Sequence, residues 1–101
     1  YIGIVPLGYA DGIDRHASGK IWVAANGQKY PQVGRICMDQ FMVDLGNTPD
    51  GQPPLKPGET VRLWGDGSQG EPTADDWAGA ADTINYTIVT ALNSRVQRIY
   101  I

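Results

Sequence analysis

Arg35, Cys37, Met38, Asp39 and Gln40 crowd one short segment, GRICMDQFMVDLG (34–46). Its apolar members, Ile36, Met38, Phe41, Val43 and Leu45, read as a β-strand, in which an arginine, an acid and an amide are costly if both faces pack. Several chemistries can be weighed against this segment and the loops around it. Cys37 would need a partnered base to act as a nucleophile, and a lone cysteine in a strand is usually a small core hydrophobe. His16 has no second histidine, which leaves zinc without a ligand set. Asp11, Asp14 and Asp39 are candidate ligands for a hard cation, although acids in loops are more often turn formers. GDGSQG (65–70) is glycine-rich but lacks the Lys-Ser/Thr ending of a phosphate-binding loop.

The elements that would position these residues are short. Thirteen glycines and seven prolines in 101 residues favour strands joined by tight turns. YIGIVPLG (1–8) reads as a first strand, with Pro6 marking an edge or a bulge. YADGIDRHASG (9–19) reads as a polar loop. In KIWVAANGQKYPQVG (20–34), Asn26-Gly27 predicts a type I′ hairpin turn that sets Ala25 opposite Gln28, Val23 opposite Tyr30 and Trp22 opposite Pro31. The 34–46 segment is expected to follow as a long strand. Its polarity changes face near Asp39-Gln40, with Ile36 and Met38 on one side and Phe41, Val43 and Leu45 on the other, which implies a bulge, a twist or a passage between sheets.

NTPDGQPPLKPGE (47–59) is a loop, and TVRLWG (60–65) another strand, with Val61 and Leu63 opposite Arg62 and Trp64. PTADDWAGAA (72–81) predicts a helix capped by Thr73, with Asp75 and Asp76 at its positive end. DTINYTIVTALNSR (82–95) carries Ile84, Ile88 and Leu92 at helical spacing, and RVQRIYI (95–101) reads as a closing strand. Trp22, Trp64 and Trp77 are assigned to packing, since no cation accompanies them in the sequence. The expected fold class is mostly β, a barrel or sandwich with one or two short helices, formed by residues 1–101 as one domain.

The totals narrow the function classes. The apolar fraction of 42% fits a globular chain, and the formal charge of −3 includes no basic cluster, so nucleic acid is a poor partner. No apolar run approaches a membrane span. One cysteine fits a reducing compartment, and the expected location is cytoplasmic. The chain lacks an initiator methionine and opens inside a strand-like run, so a fragment or cleaved domain is expected.

Composition and spacing stop at a soluble β-rich domain. GYADG (8–12) followed by Arg15, then VGRICMDQFMVDLG (33–46), ADDWA (74–78) and TINYTIVTAL (83–92), go further. In that order and at those spacings they resemble the C-terminal domain of alanine racemase over nearly the whole chain. The resemblance implies an N-terminal (β/α)8 barrel elsewhere, holding pyridoxal 5′-phosphate through a lysine. It also implies a head-to-tail homodimer in which this domain closes over the partner's cofactor. The implied reaction interconverts L- and D-alanine, the D form being a peptidoglycan precursor. Its two acid-base groups, the cofactor lysine and a tyrosine in an upstream Ser-Tyr-Gly block, lie outside this chain, so no catalytic residue is expected here and the isolated chain is expected to be inactive.

By motif position, Met38 matches the residue whose main-chain N–H meets the substrate carboxylate. Tyr9 and Tyr86 match the tyrosines that narrow the inner entrance, and Tyr86 also matches the contact to the cofactor phosphate. Arg15, Arg35, Asp39 and Ile84 match the outer corridor. Plainer readings stand beside these: Met38 as core filler, Tyr86 as a packing residue, and Arg35–Asp39 as an exposed salt bridge worth at most ~1 kcal/mol. A broad-specificity amino-acid racemase and a non-catalytic β-barrel binding module are the alternative functions. A related β domain occurs in basic amino-acid decarboxylases, against which GYADG with CMDQ argues. An isolated domain of this kind is expected to expose an apolar, tyrosine-containing surface and to self-associate.

Overall fold

In a computed structural model that describes residues 1–99, four strands form an antiparallel sheet in the order β1-β4-β3-β2. They are β1 (Ile2–Val5), β2 (Trp22–Ala25), β3 (Gln28–Val33) and β4 (Phe41–Asp44). β1 stops before Pro6 and is an edge strand, as a proline there requires. The β2–β3 hairpin has the register expected from its turn, with Ala25 opposite Gln28, Val23 opposite Tyr30 and Trp22 opposite Pro31. Asn26 and Gly27 both have positive φ, 51° and 76°, the backbone that a type I′ turn demands.

The mostly β class with two short helices holds, but the sheet does not close into a barrel. TVRLWG, expected as a strand, contributes only an isolated bridge in which Arg62 exchanges backbone hydrogen bonds with Ala24 at 2.7 and 3.0 Å. The 34–46 segment is a strand only over β4. Residues 35–40 form a turn, closed by the Cys37 N–H donating to the Gln40 carbonyl at 2.9 Å. Ile36 and Met38 therefore do not share a face: Ile36 is buried and Met38 exposed. In β4 the alternation is regular, with Phe41 and Val43 buried. No strand forms over 95–99, and the last two residues of the expected closing strand lie outside the described residues.

Helix α1 (Ala74–Ala81) begins as its sequence dictates. Thr73 accepts the Asp76 N–H at 3.1 Å, and Asp76 accepts the Thr73 N–H at 2.8 Å, a reciprocal capping box. Helix α2 (Asn85–Thr90) is shorter than the 82–95 pattern suggests. Ile88 is buried, but Ile84 precedes the helix and is exposed, because residues 84 and 88 are not parts of one continuous helical stripe. The core joins Val5, Ile13, Val23, Phe41, Val43 and Trp77 in one cluster of buried side chains. Trp77 donates its indole N–H to the Leu63 carbonyl at 2.7 Å and meets Trp64 edge-on. Trp22 has a cation that the linear sequence does not show: across the hairpin, Lys29 Nζ lies 5.1 Å from its ring centre.

Candidate functional site

The site grows from the way GYADG meets the 35–40 turn. Tyr9–Asp11 is one turn of 3-10 helix. Its Tyr9 N–H donates to the Cys37 carbonyl at 2.9 Å, and its Ala10 N–H donates to the Met38 carbonyl at 3.0 Å. Gly8 approaches so closely that a Cβ there would lie 2.2 Å from the Cys37 oxygen and 2.3 Å from the Met38 oxygen. At Gly12, φ is 102° and a Cβ would lie 2.2 Å from the Ala91 carbonyl oxygen. Both glycines of the motif thus exist to let backbone touch backbone.

Below this contact, Ser18 accepts the Ile36 N–H at 2.9 Å while donating to the Arg15 carbonyl at 2.7 Å. Gln32, buried, accepts the Gly19 N–H at 2.6 Å and donates to the carbonyls of Val33 and Gly34. The turn that carries Met38 is therefore pinned on each side by polar bonds.

The Met38 N–H itself has no acceptor among the described residues, and the residue is 53% exposed. The Cys37 carbonyl and the Met38 N–H belong to one planar, trans peptide unit and point in opposite directions. Anchoring the carbonyl on Tyr9 therefore aims the N–H away from Tyr9. A fixed main-chain donor of this kind can read a carboxylate without a side-chain charge.

Four of the seven candidate residues line two depressions. Tyr9 and Arg15 line one shallow depression with Gly12, Ile13, Thr87 and Ile88, the Arg15 guanidinium lying 5.8 Å from the Tyr9 ring centre. Ile84 and Tyr86 line a second with Asp75, Gly79 and Thr83. The two phenols do not share a depression; α2 contributes residues to both. Arg35 and Asp39 are exposed and form no ion pair with each other, because the turn at 37–40 takes them off the common strand face that a straight strand would give. Among the described residues no group of three His, Cys, Asp or Glu side chains could hold a metal ion. His16 pairs only with Asp14, at 3.1 Å.

Asp11 is the largest departure from the sequence reading. It is neither a cation ligand nor a solvated turn former: it is 1% exposed, accepts the Gly8 N–H at 3.0 Å and is gripped by Arg95 through both oxygens. The Arg95 guanidinium, helped by the Gly8 N–H, holds the carboxyl down to about 2 against the opposing effect of burial. Among the described residues, no helix is long and apolar enough to cross a membrane.

The sequence and this geometry have close counterparts. A family model described as "Alanine racemase, C-terminal domain" matches residues 1–100. The alanine racemase of Streptomyces coelicolor is 55% identical over 100 residues, 99% of this chain and 24% of that protein. That of Mycolicibacterium vanbaalenii is 50% identical over 100 residues, 99% of this chain and 25% of that protein. Among solved structures, the alanine racemase from S. coelicolor A3(2) superposes with a TM-score of 0.88 at 55% identity, covering 99% of this chain and 25% of that one. The Bartonella henselae alanine racemase with covalently bound pyridoxal phosphate does so with a TM-score of 0.83 at 35% identity, covering 99% of this chain and 27% of that one. The chain spans about a quarter of the length of the curated relatives it matches.

Proposed function

The chain belongs to the alanine racemase C-terminal domain family, and from that premise we propose that it forms the substrate-facing wall of a pyridoxal-phosphate-dependent enzyme interconverting L- and D-alanine. In this reading Met38 offers its main-chain N–H to the substrate carboxylate. Tyr9 and Tyr86 narrow the approach, and Arg15, Arg35, Asp39 and Ile84 border the outer corridor. The observation that carries it is the unpaired Met38 N–H, turned away from Tyr9 by the bond from the Tyr9 N–H to the Cys37 carbonyl.

The cofactor fits this chain at one point and not at another. Tyr86 is 73% exposed and its hydroxyl has no hydrogen-bond partner among the described residues, which suits a phosphate contact. The lysines do not suit the covalent anchor: Lys29 lies over Trp22 in the hairpin, while Lys20 and Lys56 are exposed residues of surface turns. When bound, the cofactor supplies an electron sink for proton loss at the substrate Cα. This chain binds and orients, leaving proton transfer on the two faces of that carbon to groups outside it, which an N-terminal barrel and the second subunit of a head-to-tail homodimer provide. The setting is the cytoplasm.

The test compares two substitutions in the full-length protein carrying this segment, assayed for conversion of L- to D-alanine. Met38→Pro deletes the N–H, whereas Met38→Leu keeps it. The expected result is a KM for alanine raised at least about tenfold by proline, the loss of one charge-assisted bond, with leucine near the parent value. A proline variant that folds and binds alanine like the parent would end the reading.

A further inference from the structure

We propose that Asp11 and Arg95 are positioning residues: their paired side chains set the Tyr9–Ala10 backbone against Cys37 and Met38, and so fix the direction of the Met38 N–H. The proposal rests on the reading of Met38 as the carboxylate donor.

Asp11 accepts from Gly8 and Arg95, the latter through a two-pronged fork from Nε and Nη2. Arg95 Nη2 also donates to the Pro6 carbonyl at 3.1 Å. Two residues earlier, the Asn93 N–H donates to the Asp11 carbonyl at 3.2 Å, and the Asn93 side chain donates to the Ala10 carbonyl. Segment 93–95 therefore holds GYADG from behind. On the other side, the same five residues hold the 37–38 peptides through Tyr9 and Ala10.

The bonding runs in one line from Arg95, through Asp11 and Gly8, to Tyr9 and then the Cys37–Met38 peptide. Rotation of that peptide by a few tens of degrees would turn the N–H away from an acceptor, since hydrogen bonds weaken steeply as they bend. Arg95 and Asp11 touch neither substrate nor cofactor in this arrangement; their effect passes through Tyr9.

The full-length protein is compared with its Asp11→Asn, Arg95→Gln and Arg95→Lys variants and with the Asp11→Asn/Arg95→Gln double variant. Measured are KM and kcat for L-alanine, and backbone hydrogen exchange over residues 8–12 and at the Cys37 amide, which bonds the Gln40 carbonyl. Each single variant is expected to raise KM about tenfold with a smaller change in kcat, and the double variant to be no worse than the poorer single one, because one unit is lost in each case. Exchange should rise at both places together. Unchanged KM in a variant whose 8–12 exchange has risen would overturn the proposal, as would unchanged exchange at the Cys37 amide. Should Asp11→Asn fail to fold, Arg95→Lys, which keeps the charge and loses the fork, carries the comparison. A parent protein without racemase activity would defeat the functional reading alone, and the exchange data would still decide whether the clasp governs the Met38 turn.

Discussion

The N–H of Tyr9 meets the carbonyl of Cys37 at 2.9 Å, and this bond turns the amide of the same peptide away from Tyr9. The approach of Gly8 to the same peptide leaves no room for a side chain. The arrangement couples a loop near the start of the chain to the turn before β4.

Gly8→Ala tests that closeness. The added methyl meets carbonyl oxygens that belong to backbone and cannot rotate aside. Destabilisation of about 2–3 kcal/mol is expected, in the range for overpacking a tight contact. Urea denaturation of the full-length protein measures it, and loss of less than about 0.5 kcal/mol, the scale of an ordinary surface substitution, would show that the turn yields.

Tyr86→Phe tests the proposed phosphate contact. The ring is exposed, so its packing contributes little and the hydroxyl carries the effect. Cofactor affinity should fall roughly fivefold, the cost of one hydrogen bond of about 1 kcal/mol. Absorbance titration with pyridoxal 5′-phosphate reads this directly. An unaltered affinity would assign Tyr86 to the approach alone.

The hairpin register and the Thr73 cap of α1 were legible because each depends on residues a few positions apart: Asn26-Gly27 specifies its turn, and Thr73 meets Asp76 within one helical turn. The 35–40 turn was not. A period-two pattern cannot distinguish a bulged strand from a chain that closes Cys37 on Gln40, since both move Met38 off the buried face. The pairing of Asp11 with Arg95 is hidden in the sequence for a different reason. They are 84 positions apart, and nothing local distinguishes Asp11 from an acid that merely starts a turn. The site residues themselves came from motif order, while the unpaired state of the Met38 amide is visible only once every neighbouring donor and acceptor has been placed.

Acid should loosen the Asp11–Arg95 clasp over a narrow window. The folded carboxyl titrates near 2 and the free one near 3.8, so between these values the unfolded chain binds more protons and stability rises with pH. The contribution is complete above the free value and is lost as pH falls through the folded one. Urea midpoints measured from pH 5 down to 2 should decline in the parent and decline less in Asp11→Asn. Parallel profiles would exclude Asp11 as a source of the acid sensitivity.

Trp77→Ala should cost about 3–5 kcal/mol, since it empties a fully buried position and strands the Leu63 carbonyl. Thr73→Ala should cost only about 1 kcal/mol, the value of a helix cap. A thermal unfolding series ranks the two, and equal costs would mean that the core around Trp77 collapses to fill the gap.

The recognition atom assigned to position 38 sits on the main chain, which frees its thioether from any duty toward the anion. Drift among homologues can therefore reshape the lining of the pocket by exchanging that side chain while the same ion is still read. Two evolutionary pressures, one on fit and one on charge, act there on different atoms of one residue, and only an imino acid confounds them.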